Sequence, residues 1–182
     1  MSDFKRKTKI MDDIAVSRAL ARISHEIIER NKGVENICIL GIKTRGLPLA
    51  EKIAENLKRI EGVSLPVGYL DITRHRDDLS EDQKSLMSGE CHIPCDINNK
   101  TVILVDDVIY TGRTTRAAIE AVFASGRPSV LQLAVLVDRG HRELPIRPDY
   151  IGKNVPSSKN EKISVLVQNI DTETAVYICE KN

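Results

Sequence analysis

The sequence predicts an α/β protein with a mainly parallel central sheet flanked by helices, and three observations carry that prediction. Residues 37–40 and 102–105 are apolar runs without polar alternation, and 130–137 is apolar apart from Gln132, the pattern of strands covered on both faces. Between them lie segments whose apolar residues recur at helical spacing, as the crossovers of a parallel sheet require. Each run ends in a turn rich in glycine, cations or carboxylates, and ligands of open parallel sheets collect outside the carboxyl ends of the strands.

With 182 residues and 41% hydrophobic content the chain can bury one sizeable core, and no linker splits it, so residues 1–182 read as a single domain. A net charge of +1 excludes global attraction to nucleic acid or membrane and leaves any such binding to a local patch. No apolar stretch approaches the ~20 residues of a membrane span. The start, Met-Ser-Asp-Phe-Lys-Arg-Lys, lacks the apolar core of a signal peptide. The expectation is a cytoplasmic protein with no membrane partner. Cys91 and Cys95 form the one cysteine cluster, and with no second pair at knuckle spacing the four cysteines are expected as reduced thiols.

In chain order, Asp12 or Asp13 caps a helix that runs to about Asn31, with Gly33 just past its end. Val16, Leu20, Ile23 and Ile27 share its core face, and Arg18, Arg22, His25 and Glu29 the opposite one. That second stripe suits a solvated face or a track for phosphates. The strand at 37–40 leads into Gly41-Ile-Lys-Thr-Arg-Gly-Leu-Pro48. Its glycines have nucleoside-triphosphate P-loop spacing, but Leu47 and Pro48 stand where Lys and Ser or Thr are required. A cationic turn remains, at the start of a helix with Pro48 in its first turn and Leu49, Ala50, Ile53, Ala54 and Leu57 inward. Residues 63–72 are extended, interrupted by Pro66 and Gly68. Residues 73–89, with Arg74 and Arg76, are polar and read as a mobile lid or a disordered insert.

The strand at 102–105 ends in Asp106 and Asp107, followed by a turn around Gly112 and a helix carrying Ala117, Ala118, Ile119, Ala121, Val122 and Phe123, which stops near residues 125–128. A helix N-terminus behind a glycine favours an anion such as phosphate. Thr111, Thr114 and Thr115 add hydroxyl donors and Arg113 adds charge. Carboxylates that close to a phosphate would repel it unless they face a diol or a metal ion, and a sugar phosphate has that layout. The run at 130–137 ends at Asp138, which suits contact with a base or a metal-bound water, and equally a turn cap. Residues 140–162 are rich in cations, among them Arg142, Arg147 and Lys153; residues 163–167 and 175–179 read as the last strands.

The segment Val-Asp-Asp-Val-Ile-Tyr-Thr-Gly-Arg-Thr (residues 105–114), with the hydrophobic strand before it, resembles the phosphoribosyl pyrophosphate motif of the type I phosphoribosyltransferases, which here spans residues 102–114. The resemblance implies that Asp106 and Asp107 hold the ribose hydroxyls and that Thr111, Gly112, Arg113, Thr114 and Thr115 cradle the 5-phosphate. It places Lys43, Thr44, Arg45 and Gly46 on pyrophosphate, and gives the lid, with Arg76 counted among the catalytic residues, the task of excluding water. Magnesium is implied as a cofactor carried by phosphoribosyl pyrophosphate rather than bound directly by the protein. Tyr110 stands where purine enzymes of the family tend to carry Asp before Thr-Gly; a phenol is poorly suited to proton exchange at neutral pH, which favours a pyrimidine.

Residues 19–162 are similar, more narrowly, to the pyrimidine operon attenuation proteins that are also uracil phosphoribosyltransferases. The segments that carry this likeness are Arg22-Ile-Ser-His-Glu-Ile-Ile-Glu-Arg-Asn-Lys-Gly33, Gly41-Ile-Lys-Thr-Arg-Gly46, Tyr-Thr-Gly-Arg-Thr and Leu-Ala-Val-Leu-Val-Asp-Arg-Gly-His-Arg-Glu-Leu-Pro-Ile-Arg147. The implied activity converts uracil and phosphoribosyl pyrophosphate to UMP and pyrophosphate. The implied regulation is UMP- or UTP-dependent binding of a leader mRNA stem-loop, favouring transcription termination, by a homodimer or higher homo-oligomer. The implied RNA face maps onto His25, Arg142, Arg147 and Lys153, with Arg18 and Arg22 beside His25. Ala21 departs from the Thr often found on that helix, which removes one hydroxyl donor. A dedicated pyrimidine salvage enzyme without RNA regulation is the alternative reading.

Overall fold

In the computed structural model the described residues are 4–72 and 90–181. The expected lid at 73–89, with Arg74 and Arg76, lies outside them. The elements in chain order are β1 (Phe4–Met11), α1 (Asp13–Asn31), β2 (Ile37–Ile42), α2 (Gly46–Glu61), β3 (Val67–Leu70) and β4 (Thr101–Ile109). There follow α3 (Arg113–Ser125), β5 (Val130–Asp138), β6 (Tyr150–Asn154), β7 (Glu161–Leu166) and β8 (Ala175–Lys181). The central sheet has the order β3-β2-β4-β5-β6, and every neighbouring pair is parallel.

The uninterrupted apolar runs are explained by what lies on each face. Ile37, Ile39, Ile103, Val105 and Leu136 join one buried cluster with Leu20, Ile23 and Ile27 of α1 and Leu49, Ile53 and Leu57 of α2. The alternate residues Cys38, Leu40, Val102, Leu104, Leu133 and Val135 join a second cluster with Ala117, Ala118, Ala121 and Val122 of α3. Side chains point to opposite faces with period two, so a strand covered on both faces is apolar at both, and the polar exception in β5, buried Gln132, bonds Asn31 and Tyr150.

The helix ends follow local chemistry. Asp12 is the N-cap of α1, its carboxylate accepting the Ala15 N–H at 2.8 Å. At the other end the left-handed residue is Lys32 (φ 55°), one position before the expected Gly33, whose own N–H returns to the Ile28 carbonyl. Strand β4 runs past the point where the carboxylates were expected to end it, because β5 continues opposite as far as the Ile109–Asp138 pair.

Two strands have no signature in the sequence. β1 carries five successive polar residues, 5–9, and forms by antiparallel pairing with β8 in a second sheet of order β1-β8-β7. Its charges meet acidic partners, Arg6 and Lys9 on Glu173 and Lys7 on Glu161, at 2.9 to 3.2 Å. β6 exists because β5 offers it an edge, and Gly152 permits the approach: a Cβ there would sit 2.5 Å from the Leu136 carbonyl oxygen. All four cysteines are free, and burial pushes the Cys38 thiol up to about 12. Among the described residues no three His, Cys, Asp or Glu side chains converge as a metal site, and no helix is long and apolar enough to cross a membrane.

Candidate active site

The crossover from β2 carries α2 to one face of the sheet and the crossover from β4 carries α3 to the other. Chain connections therefore diverge between β2 and β4, and a crevice opens outside their carboxyl ends, where ligands of such sheets bind. The crevice is a cavity of about 410 Å³ lined by Lys43, Thr44, Arg45, Asp71, Ile72, Asp106, Asp107, Val108 and Thr114. The fold thus brings the cationic turn, the acidic pair and the start of α3 to one place, and adds Asp71, which stands just after β3 and which the sequence reading passed over.

The turn after β2 lies close against both strands because Gly41 and Gly46 lack side chains. A Cβ on Gly46 would run into the Val105 carbonyl oxygen, and one on Gly41 into the backbone of Leu47. The Lys43–Thr44 peptide is cis. The Lys43 ammonium stands 3.7 Å from the centroid of the Tyr69 ring, and Lys43 and Thr44 are otherwise exposed to the crevice. Arg45 lines the same wall with its guanidinium engaged by Asp171, at 2.9 and 3.2 Å.

Asp106 is buried and Asp107 half-buried at the sheet's edge on the crevice. One oxygen of Asp106 accepts the Asp107 N–H at 2.9 Å, and one of Asp107 accepts the Val108 N–H at 2.8 Å. Burial, reinforced by the neighbouring Asp107 charge, holds the Asp106 carboxyl well above the usual carboxylate range. Burial also raises Asp107, opposed by hydrogen bonds and by the Arg45 charge. The pair is poised to accept hydrogen bonds from neutral donors such as hydroxyls, which relieve the desolvation without a counter-ion.

Gly112 takes a left-handed conformation (φ 94°) as N-cap of α3 and contributes no capping side chain. Thr114 is exposed and lines the crevice, whereas Thr115 is buried. Arg113, expected on the phosphate, donates from Nε to Glu143 at 2.9 Å. The Thr111 carbonyl oxygen accepts the N–H groups of Glu143 and Leu144 at 3.0 and 3.1 Å. The turn is therefore welded to the loop that follows β5.

In that loop Asp138 takes the turn-cap role, one of the two open to it, and Arg142 departs from expectation. Asp138 caps its own turn, accepting the Gly140 N–H at 2.9 Å, and its other oxygen takes the Arg142 guanidinium at 2.6 Å. Arg142, expected as an RNA-facing cation, turns inward and also donates to the carbonyls of Tyr110 and Ile146, each at 2.9 Å. A half-buried carboxylate and the carbonyls beside it satisfy the guanidinium's donors better than solvent does. The sequence reading also passed over Arg139, which is buried, donates to Ser157 Oγ and to the carbonyls of Ser158 and Glu161, and stacks its guanidinium 4.1 Å from the Tyr110 ring centroid. Its one sequence signal was its place in Asp-Arg-Gly at a strand's carboxyl end. Residues 138–141 line a second hollow of about 470 Å³ with Asn154, Pro156 and Ser157.

The remaining basic candidates lie outside the crevice. Arg18, His25, Arg147 and Lys153 are exposed, and the Lys153 ammonium donates to the Ile10 carbonyl at 3.0 Å. Arg22 reaches from α1 to the carbonyls of Ile151 and Gly152 on β6 and pairs with Glu26 at 3.5 Å. An ion pair between Arg30 and Asp149, 2.8 Å long, joins α1 to the end of the loop that carries Arg147. These contacts set α1, β6 and the Arg147 segment side by side.

The phosphoribosyl transferase domain family matches residues 8–168. The chain is 57% identical over 177 residues to the bifunctional protein PyrR of Thermoanaerobacter sp. (strain X514), covering 97% of this chain and 99% of that protein. It is 55% identical over 174 residues to the bifunctional protein PyrR of Clostridioides difficile (strain 630), covering 96% and 98%. Among solved structures, the hypoxanthine phosphoribosyltransferase of Trypanosoma cruzi in complex with IMP superposes with a TM-score of 0.72 at 13% identity, over 96% of this chain and 91% of that one, a likeness of fold. With the family match over residues 8–168 and this identity along nearly its whole length, the chain belongs to the phosphoribosyltransferases and, among them, to the bifunctional PyrR proteins.

Proposed function

We propose that the protein is a uridine-nucleotide-dependent RNA-binding regulator that attenuates transcription of pyrimidine biosynthetic genes, and that the same crevice converts uracil and phosphoribosyl pyrophosphate to UMP and pyrophosphate. The observation that carries this reading is the meeting of the Lys43–Gly46 turn, the Asp106–Asp107 pair and the Thr111–Thr115 turn at the crevice between β2 and β4.

In this reading the ribose hydroxyls donate to the acidic pair, whose ionised form gains hydrogen bonds in place of lost water. The 5-phosphate occupies the uncapped start of α3, where first-turn N–H groups and threonine hydroxyls converge. Lys43, Thr44 and the backbone of the turn to Gly46 receive the pyrophosphate. Magnesium carried by phosphoribosyl pyrophosphate, rather than held directly by the protein, would supply neutralising charge for the leaving pyrophosphate. Uracil N1 forms its bond to the ribose C1 as the bond to pyrophosphate breaks and the N1 proton passes to solvent, and the protein's contribution is positional and electrostatic. Positive charge grows at C1 in the transition state beside Asp106 and Asp107, so the buried pair stabilises it more than the ground state. The uracil would sit toward Tyr110 and the 138–141 turn, next to the ribose.

RNA binding is assigned to the exposed strip of Arg18, Arg22, His25, Lys153 and Arg147, with Arg142 acting from within to shape the loop. UMP carries the 5-phosphate of the substrate and occupies the same turn. The bonds from Thr111 to Glu143 and Leu144 give that turn a direct mechanical link to the loop that bears Arg147. If UMP tightens RNA, RNA must tighten UMP by the same factor.

The experiment is a pair of variants read in two assays. Arg147→Gln should weaken binding of a leader-RNA hairpin and lower its salt dependence while sparing uracil phosphoribosyl transfer. Asp106→Asn should abolish most transfer and leave nucleotide-free RNA binding near wild type. Loss of both functions in each variant would sink the two-site assignment. Transfer without specific RNA binding by the wild type would leave a salvage enzyme.

A further inference from the structure

The Arg45 guanidinium lies on the crevice wall between two sources of negative charge. On one side its Nε donates to Asp171 Oδ2 at 3.2 Å and its Nη2 to Oδ1 at 2.9 Å, a two-point contact. On the other side it shares the crevice lining with Asp106 and Asp107, and its charge offsets part of the rise that burial imposes on the Asp107 carboxyl. Asp171 belongs to the turn between β7 and β8 and is itself fixed. Its Oδ2 accepts the Val167 N–H at 2.9 Å, and its own N–H donates to the Val167 carbonyl at 2.7 Å. A residue 126 positions away from Arg45 is thus pre-set to receive it.

We infer that Asp171 is a positioning residue for phosphoribosyl pyrophosphate: it holds Arg45 off the Asp106–Asp107 pair, leaving the pair's oxygens for the ribose hydroxyls and the unused guanidinium N–H groups for the pyrophosphate. The inference rests on the reading of the crevice as the substrate site. The sign follows from burial. A guanidinium released from Asp171 faces the desolvated Asp107 carboxylate across the crevice they both line, with Asp106 beside it, and an ion pair there is stronger than at the more exposed Asp171. Paired there, it would occupy the atoms the diol requires. Plain electrostatics argues the other way, because deleting Asp171 takes a negative charge away from a polyanionic ligand and should tighten it. The direction of the effect therefore separates positioning from bulk charge.

The test is calorimetric titration of the full chain with the magnesium complex of phosphoribosyl pyrophosphate, for wild type, Asp171→Asn, Arg45→Ala and the double variant. Asn keeps an oxygen for the Val167 N–H, so the hairpin retains its own bond. Asp171→Asn should weaken binding roughly tenfold. In the Arg45→Ala background the same change should cost less than about twofold, because its target is gone. Turnover should show the loss mainly as a raised KM. Asp171→Glu, with the carboxylate on a longer arm, should bind closer to wild type than Asp171→Asn. Unchanged or tighter binding in Asp171→Asn, an equal loss in both backgrounds, or a reversed order of the Glu and Asn variants overturns the inference. Wild type that binds no phosphoribosyl pyrophosphate overturns the reading of the crevice itself, a distinct result.

Discussion

The carbonyl oxygen of Thr111 accepts the backbone N–H of Glu143 at 3.0 Å, and the carboxylate of Glu143 in turn holds the guanidinium of Arg113 at 2.9 Å. A phosphate drawn into the Thr111–Thr115 turn therefore meets a backbone already tied to the loop after β5. Glu143→Gln should reduce the factor by which UMP strengthens RNA binding, by about 0.5 to 2 kcal/mol of coupling. The readout is the ratio of RNA affinities with and without UMP. Removing a negative charge near RNA raises both affinities alike and leaves that ratio unchanged, so an unaltered ratio would show that the coupling runs elsewhere.

Asp106 is a cost to the fold as well as a candidate ligand. Its folded carboxyl titrates well above the unfolded value of about 3.9. Below the unfolded value both states are protonated and nothing is lost. As pH rises through the window between the two, the native state holds a proton the unfolded chain has released, and stability falls; above the folded value the full cost is present. Asp106→Asn should raise Tm at pH 7 by a few degrees, roughly 2–4 °C for each kcal/mol relieved. The gain should vanish below about pH 4. Thermal melts at both pH values decide this, and an equal gain at each would assign the effect to something other than titration.

The same raised carboxyls predict a pH dependence of substrate binding. Ribose hydroxyls donate to the ionised pair, so affinity for phosphoribosyl pyrophosphate should be full at high pH and decline as pH falls through the raised range of Asp106 and Asp107. The groups that share this environment are Lys43, Arg45 and Asp71, all on the crevice wall. Titrations from pH 8 downward, with pyrophosphate alone as the control that lacks a diol, isolate the contribution of the pair. Parallel declines for both ligands would place the titration on the phosphates.

Gly46 is required by contact rather than by dihedral freedom. A methyl there collides with the Val105 carbonyl, a backbone atom in a central strand that has little room to move. Gly46→Ala should cost about 1–3 kcal/mol of stability by overpacking. It should also push the Lys43–Arg45 turn outward, weakening pyrophosphate binding more than binding of UMP, which lacks that group. Comparing the two ligands on the folded variant tests the displacement separately from the stability loss.

The central sheet, its covering helices and the place of the ligand crevice were legible because each has a local signature. Residues 37–40 and 102–105 are apolar without alternation, 130–137 is so apart from Gln132, and the alternate burial of Cys38 and Ile39 in two clusters shows why. Asp106, Asp107 and Gly112 stand in a motif whose spacing is itself the signal. Several features had no such signature. β1 is polar along residues 5–9 and becomes a strand only through β8, and β6 is set by the free edge of β5 and the small Gly152. The inward turn of Arg142 and the clamp of Arg45 by Asp171 depend on which carboxylate comes within about 3 Å, a property of tertiary approach. By itself the sequence determined the backbone periodicity and the chemistry available at each strand end, because both follow from residue order over a few positions. Only the tertiary structure decided which cations are exposed and which are held, because a guanidinium goes to the best carboxylate in reach, and that reach is set by elements far apart in the chain.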